Sequence, residues 1–148
     1  MGTSFRSGYN RVGLYFDQTL NLDFTGHQVD AGIRFYGLDY VFERNVIGMS
    51  IGYSYNFSAT KFYLGPGFSA AFFRENKSSS ELYVSELMFN NKIGIHAGQR
   101  FSFFSQIGIG AVFNRHTNYN IGKTTNTIYV NYEAALGIKF YWRVPTDD

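Results

Sequence analysis

The sequence predicts an all-β fold, an up-and-down antiparallel transmembrane β-barrel of eight strands, and three observations carry that reading. The first is the closing segment. Its even positions from Ile128 to Trp142 read Ile128, Val130, Tyr132, Ala134, Leu136, Ile138, Phe140 and Trp142, apolar throughout, and the odd positions between them include Asn131, Glu133 and Lys139. A two-residue period gives a strand with one apolar face and one face that tolerates charge. This run is longer than the five or six residues usual for soluble sheets and suits a tilted membrane crossing of roughly 9–11 residues with some overhang. The second observation is that the same alternation recurs along nearly the whole chain between turn signals. The third is the opposite parity, which carries Gly48, Gly52, Gly65, Gly67, Gly94, Gly108, Gly110 and Gly137 with Ser and Tyr between them. Small residues among large polar ones fill the inside of a narrow barrel, whereas a water-facing surface has no need of them.

The elements follow in order. A first strand is expected within Thr3 to Asn10, where Phe5 and Tyr9 share parity, because single-chain barrels of this kind have an even strand count and only seven strands are otherwise clear. The other way to restore the count is that the chain lacks its native first strand. Val12, Leu14, Phe16, Gln18, Leu20, Leu22 and Phe24 form one face of the next strand, and Thr25-Gly26 turns the chain. Val29, Ala31, Ile33 and Phe35 continue the outer face opposite Gln28, Asp30, Gly32 and Arg34. After Glu43-Arg44-Asn45 come Ile47, Met49, Ile51, Tyr53, Tyr55 and Phe57, and Ser58-Ala59-Thr60 reads as a compact turn. Phe62, Leu64, Pro66, Phe68, Ala70 and Phe72 follow. A polar loop is expected from Arg74 to Glu81, and then a less regular strand holding Leu87, Phe89, Ile93 and Ile95. Gly98-Gln99-Arg100 turns into Phe101, Phe103, Ile107, Ile109, Ala111 and Phe113. Asn114 to Thr127 reads as the longest loop before the closing strand.

Composition agrees with one domain, residues 1–148. Aromatics make up 20% of the chain and charged residues only 16%, against roughly 25% in soluble domains. The mean hydropathy of −0.19 is that of a soluble chain, as expected when half of every strand faces a polar interior. No apolar run is long enough for a spanning helix. No apolar leader follows Met1, so the chain is expected in a mature, exported form. A net charge of +2 without a basic cluster gives no reason to expect nucleic acid as a partner.

In strand pattern, turn spacing and the Phe140-Tyr141-Trp142 ending, the chain resembles the small eight-stranded outer-membrane barrels of Gram-negative bacteria, the class of the OmpA transmembrane domain and OmpX. The likeness is one of architecture and not of motif. It implies residence in the bacterial outer membrane, within the cell envelope, with Ile51, Phe68, Ile107, Ile109, Leu136 and Ile138 facing lipid and Phe140 and Trp142 at the membrane interface. Members of that class include structural barrels, adhesins and lipid-modifying enzymes, so the fold leaves the function open.

Two constellations could carry chemistry. The expected interior holds Asp30, Arg34, Glu86, Lys92, His96, Glu133 and Lys139, with Tyr15, Gln106 and Asn131 among them. Charges walled off from water need partners, and the simplest use of these is a salt-bridge plug. Cross-barrel pairs of Arg34 or Lys139 with Asp30 or Glu133 are expected to hold it. The second constellation is Arg115-His116-Thr117-Asn118. Outer-membrane lipid A deacylases carry His-x-Ser-Asn with a downstream Glu. Here His116 is followed by Glu133, but Asn118 stands where the serine would be, so no nucleophilic hydroxyl is in place. No spacing of His and acidic residues suggests a metal site, and no cofactor is expected. The function read from the sequence is a small, closed, non-enzymatic barrel with a structural or surface-interaction role, or an accessory subunit of a larger envelope complex. Outer-membrane lipid, lipopolysaccharide and other envelope proteins are the expected partners. The alternatives are a lipid A-modifying enzyme and a soluble lipocalin-like ligand-binding barrel.

Overall fold

Alternating strands make their hydrogen bonds sideways, and a sheet of them leaves two bare edges unless it closes. This chain closes. The structure, a computed structural model, describes residues 1–10, 14–37, 46–59 and 61–142. Its strands are β1 (Gly2–Asn10), β2 (Leu14–Phe24), β3 (His27–Tyr36), β4 (Val46–Tyr55), β5 (Phe57–Ala59), β6 (Phe62–Asn76), β7 (Ser80–His96), β8 (Phe101–Asn118) and β9 (Lys123–Tyr141). Each pairs antiparallel with its neighbours, β1 pairs with β9, and β4 pairs with β6 to complete the ring. β4 and β5 are one barrel strand interrupted at Asn56, because both pair with β6 in a common register, Ser54 opposite Gly67 and Phe57 opposite Leu64. The result is an eight-stranded closed antiparallel barrel, as the sequence predicts.

The stagger of the ring follows from its pairings. Partner by partner, Phe5 leads to Gln18, Ile33, Met49, Phe72, Ser85, Phe113 and then Ile128. Phe5 itself pairs directly with Ile138, so one circuit advances ten residues along β9. With eight strands, a stagger of this size tilts the strands by about 40°.

Three sequence expectations are corrected here. Asn114 to Thr127 is not a long loop: the β8–β9 ladder continues to Asn118 opposite Lys123 and leaves only Tyr119 to Gly122 as the turn. Arg74 to Glu81 is likewise mostly ladder, with Asn76 opposite Glu81. Ser58 and Ala59 belong to β5 rather than to a turn. The physical reason is common to all three. A ladder needs only backbone partners, so it continues through polar sequence that carries no alternation of apolar residues. The expected strand position Val12, the turn Glu43-Arg44-Asn45 and Thr60 of the expected Ser58-Ala59-Thr60 turn lie outside the described residues.

Met1 and Trp142 lie at one end of the barrel with the turns at Thr25-Gly26 and Ala97 to Arg100, hereafter the terminal end. At the far end β6 to β9 run past the shorter β1 to β4 as two long hairpins. The β2–β3 hairpin turns on two residues, Thr25 at φ 42° and Gly26 at φ 85°. Both central residues of such a turn need positive φ, which glycine accepts and a β-branched threonine resists. Asparagine tolerates this region better. Thr25 is exposed, so Thr25→Asn removes strain without removing packing, and a gain of roughly 0.5–1 kcal/mol is expected. Equilibrium unfolding by guanidinium measures it; an unchanged or lower midpoint contradicts the assignment of strain to this residue.

Candidate functional site

Odd and even positions separate cleanly between the two sides of the wall. The outer face carries the apolar parity, including Ile51, Phe68, Ile107, Ile109, Leu136 and Ile138, all exposed. Phe140 is half-buried between the rings of Phe5 and Phe101, with centroids 6.1 and 5.0 Å away, and Trp142 is exposed at the terminal end. The inner face carries the charges. Asp30, Arg34, Glu86, Glu133 and Lys139 are buried there, and Lys92 and His96 are half-buried on the same side.

The central cluster is built around Arg34 on β3. Its Nε donates to Asp17 Oδ1 and its Nη2 to Asp17 Oδ2, both at 2.8 Å, a bidentate pair with the facing residue on β2. Its Nη1 reaches across the lumen to Glu86 Oε2 on β7 at 2.7 Å and lies 3.8 Å from Glu133 Oε2 on β9. Arg6 on β1 completes the cluster. Its Nε donates to Asp17 Oδ2 at 3.0 Å, its Nη2 lies against the same oxygen, and its Nη1 donates to Glu133 Oε1 at 3.4 Å. Gln106 also donates to Glu133 Oε1. Tyr36 Oη donates to Glu86 Oε1 at 2.6 Å, and the Arg34 guanidinium lies 4.2 Å from the centre of the Tyr15 ring. Two arginines thus face three carboxylates, with the Tyr36 phenol and the Asn10 amide donating to Glu86 and the Gln106 amide to Glu133. Forked guanidinium donors suit this task, since each can serve two carboxylates at once.

A second cluster lies nearer the terminal end. Lys92 Nζ donates to Asp30 Oδ2 at 2.8 Å, and Asn21 and Gln28 donate to Asp30 Oδ1 at 2.7 and 2.5 Å. Lys139 Nζ donates to Asp23 Oδ1 at 2.6 Å and to Gln28 Oε1 at 2.9 Å. Below it, His96 Nδ1 is 2.7 Å from Ser102 Oγ. Towards the far end the lumen turns apolar, with Tyr36, Val46, Ala71, Phe73, Val84 and Val112 packed over the central cluster.

One suggested pairing is present, Arg34 with Glu133 at 3.8 Å, and the other pairings differ. Arg34 pairs chiefly with Asp17 and Glu86, and Lys139 pairs with Asp23, while Asp30 takes Lys92. Three charged participants, Arg6, Asp17 and Asp23, lie outside the set the sequence singles out. Parity could have found Arg6, which alternates with the outward Phe5, and also Asp17, two residues beyond Tyr15 on one face. The pairings themselves depend on the stagger between strands, which alternation does not reveal.

His116 is not in a loop. It sits in the β8 ladder between Leu82 and Thr125, and Thr117 faces the opposite side. Glu133 is eight residues further along β9 than Thr125, roughly 26 Å of strand, and is held by Arg6 and Gln106. The structure therefore does not bring His116 and Glu133 together.

No family model and no curated protein matches the chain. Among solved structures, one described as a KdgM porin is similar over 97% of this chain and 100% of its own, at 9% identity and a TM-score of 0.37. A likeness of that size assigns the chain neither a family nor an activity.

Proposed function

We propose that this protein is a small outer-membrane β-barrel, of the class of the OmpA transmembrane domain and OmpX, whose lumen is closed and whose role is structural or one of surface interaction. The observation that carries the reading is the inverted polarity of the wall. On the β6–β9 side, six successive cross-strand rows from Phe72-Ser85-Phe113-Ile128 to Phe62-Ile95-Phe103-Ile138 contain no charged residue. Ten residues of strand at the tilt given above span about 25 Å, the height of the apolar band on barrels of this kind. Phe24, Phe57, Phe62, Phe101 and Trp142 are exposed at its terminal-end edge, where an aromatic girdle belongs. A soluble calyx would carry its charges outside and its apolar residues within. In hydrocarbon the closed ladder also satisfies the backbone, which water could not reach.

The closed lumen is supported by the central cluster. An eight-stranded barrel is only wide enough for its own side chains, and Arg6, Asp17, Arg34, Glu86 and Glu133 span this one from wall to wall. A deacylase-like activity draws no support from the placement of His116 relative to Glu133.

The facing is tested by Ile109→Arg, which puts a charge in the third of the six apolar rows. Unfolding from neutral-lipid vesicles should show a loss of roughly 2–4 kcal/mol, and Thr117→Arg, beyond the band, a loss of about 1 kcal/mol at most. Equal stability of the two variants would sink the membrane reading.

For the plug, the unmodified protein in a planar bilayer should give no discrete conductance steps, and reproducible steps would favour a pore instead. Arg34→Met leaves Asp17 and Glu86 buried without their principal cation and should cost roughly 3–5 kcal/mol in the same unfolding assay. A loss below about 1 kcal/mol, the value of an exposed pair, would mean that water already fills the lumen around these charges.

A further inference from the structure

Above the apolar band, on the outer wall at the far end, the next cross-strand row reads Arg74, Tyr83, Arg115, Asn126. A groove of about 550 Å³ opens there, with Arg115, Asn126 and Thr117 towards its upper side and Phe113 and Ile128 at its foot. Its charges are unequally satisfied. Arg74 is committed: its Nε donates to Glu81 Oε1 at 2.6 Å and its guanidinium lies 5.2 Å from the centre of the Tyr83 ring. Glu81 is committed too, because Tyr119 Oη donates to its other oxygen at 3.1 Å. Burial opposes the charge on Glu81, yet hydrogen bonds from Arg74, Tyr83 and Tyr119 hold its carboxyl below the usual carboxylate range. Neither oxygen of Glu81 is free for Arg115. The Arg115 guanidinium is exposed and has no side-chain hydrogen bond or ion pair among the described residues. Glu81 lines the groove as a carboxylate already paired with Arg74, and Arg115 presents an unpaired fork of donors above the apolar foot of Phe113 and Ile128.

We propose that this groove seats the phosphate-bearing headgroup of an anionic membrane lipid, with Arg115 donating to the phosphate oxygens and the acyl chains lying down over Phe113 and Ile128. The proposal rests on the membrane reading above, which sets the apolar rows beside lipid chains and this row at headgroup depth. A guanidinium fork matches phosphate oxygens in pairs, and the attraction is greatest where no choline cation in the same headgroup offsets the phosphate charge. The apolar foot is what separates a lipid from a free anion, since an inorganic phosphate gains nothing from Phe113 or Ile128.

The test uses the full chain folded in neutral detergent, offered equal amounts of phosphatidic acid and phosphatidylcholine with the same chains, and native mass spectrometry of the lipid adducts. Phosphatidic acid should be retained preferentially. Arg115→Gln should reduce that retention about three- to tenfold, while Arg100→Gln at the terminal end leaves it unchanged. Millimolar inorganic phosphate should not displace the lipid. Equal retention by Arg115→Gln and the unmodified chain overturns the proposal, as does equal loss with Arg100→Gln or displacement by inorganic phosphate. Should Arg115→Gln fail to fold, Arg115→Lys keeps the charge without the fork, and undiminished retention by that variant overturns the forked contact. Insertion into neutral vesicles is measured in parallel. A barrel that inserts without preferring phosphatidic acid overturns the groove alone, whereas one that does not insert overturns the membrane reading on which it rests.

Discussion

The buried guanidinium of Arg34 is the constraint on which the rest of the interior depends. It is 1% exposed, so the groups around it must supply acceptors. Asp17 on the neighbouring strand does so in the plane of the wall, and Glu86 does so from across the lumen. Those two carboxylates then need more donors than one arginine has. Arg6, Tyr36 and Asn10 provide them, and Glu133 is drawn in through Arg6 and Gln106. Each member answers for the burial of another, so β1, β2, β3, β7 and β9 are tied at one level. Such a cluster adds less net stability than its bonds suggest, but it is costly to break at any one member and so favours a single register.

That register makes the outer face possible. With side chains alternating strictly, a one-residue slip of any strand would turn its charges outward and its isoleucines and phenylalanines inward. In β3 such a slip would expose Asp30 and Arg34 together, and in β9 Glu133 and Lys139. The inner glycines serve the same fit. A Cβ at Gly137 would fall within the ring of Phe104, and one at Gly94 within the ring of Tyr63, each the cross-strand partner of its glycine. The lumen has room for those rings because the opposing residues have no side chains, a pairing of large with small that fills a narrow barrel without a void.

The architecture was legible in the sequence because it rests on parity, a local property. The Ile128 to Trp142 run fixes one wall strand, and the same alternation recurs until the ring is complete. β1 was harder to read: Thr3, Phe5, Ser7 and Tyr9 alternate with Ser4, Arg6, Gly8 and Asn10, and neither set is strongly apolar. What parity cannot carry is the pairing of charges across the lumen, which depends on a stagger of ten residues accumulated round the whole ring. Hence Lys139 finds Asp23 rather than Asp30, and Arg34 finds Asp17. The ends of the long hairpins were hidden for another reason. At the tip of the β8–β9 hairpin neither face is buried, so Thr124, Thr125 and Thr127 read as loop while their backbone continues the ladder.

Those hairpins give the barrel its asymmetry. At the terminal end the described turns are short and the wall finishes on aromatic rings. At the far end β6 to β9 rise beyond the apolar rows and carry their polar side chains on both faces. An apolar cluster around Tyr36, Phe73 and Val112 lies between the central charges and that end. Their two faces are chemically distinct. The inner one carries His116, Asn114 and Thr125, and the outer one carries Arg74, Tyr83 and Arg115 directly above the apolar rows. A ladder carried past the band costs backbone order and gains no hydrophobic burial in return. What it does provide is a fixed platform, and the only charged residues on the outer wall of β6 to β9 next to the band are held on it. The part of this molecule most free to meet a partner is therefore also a part that the barrel makes rigid.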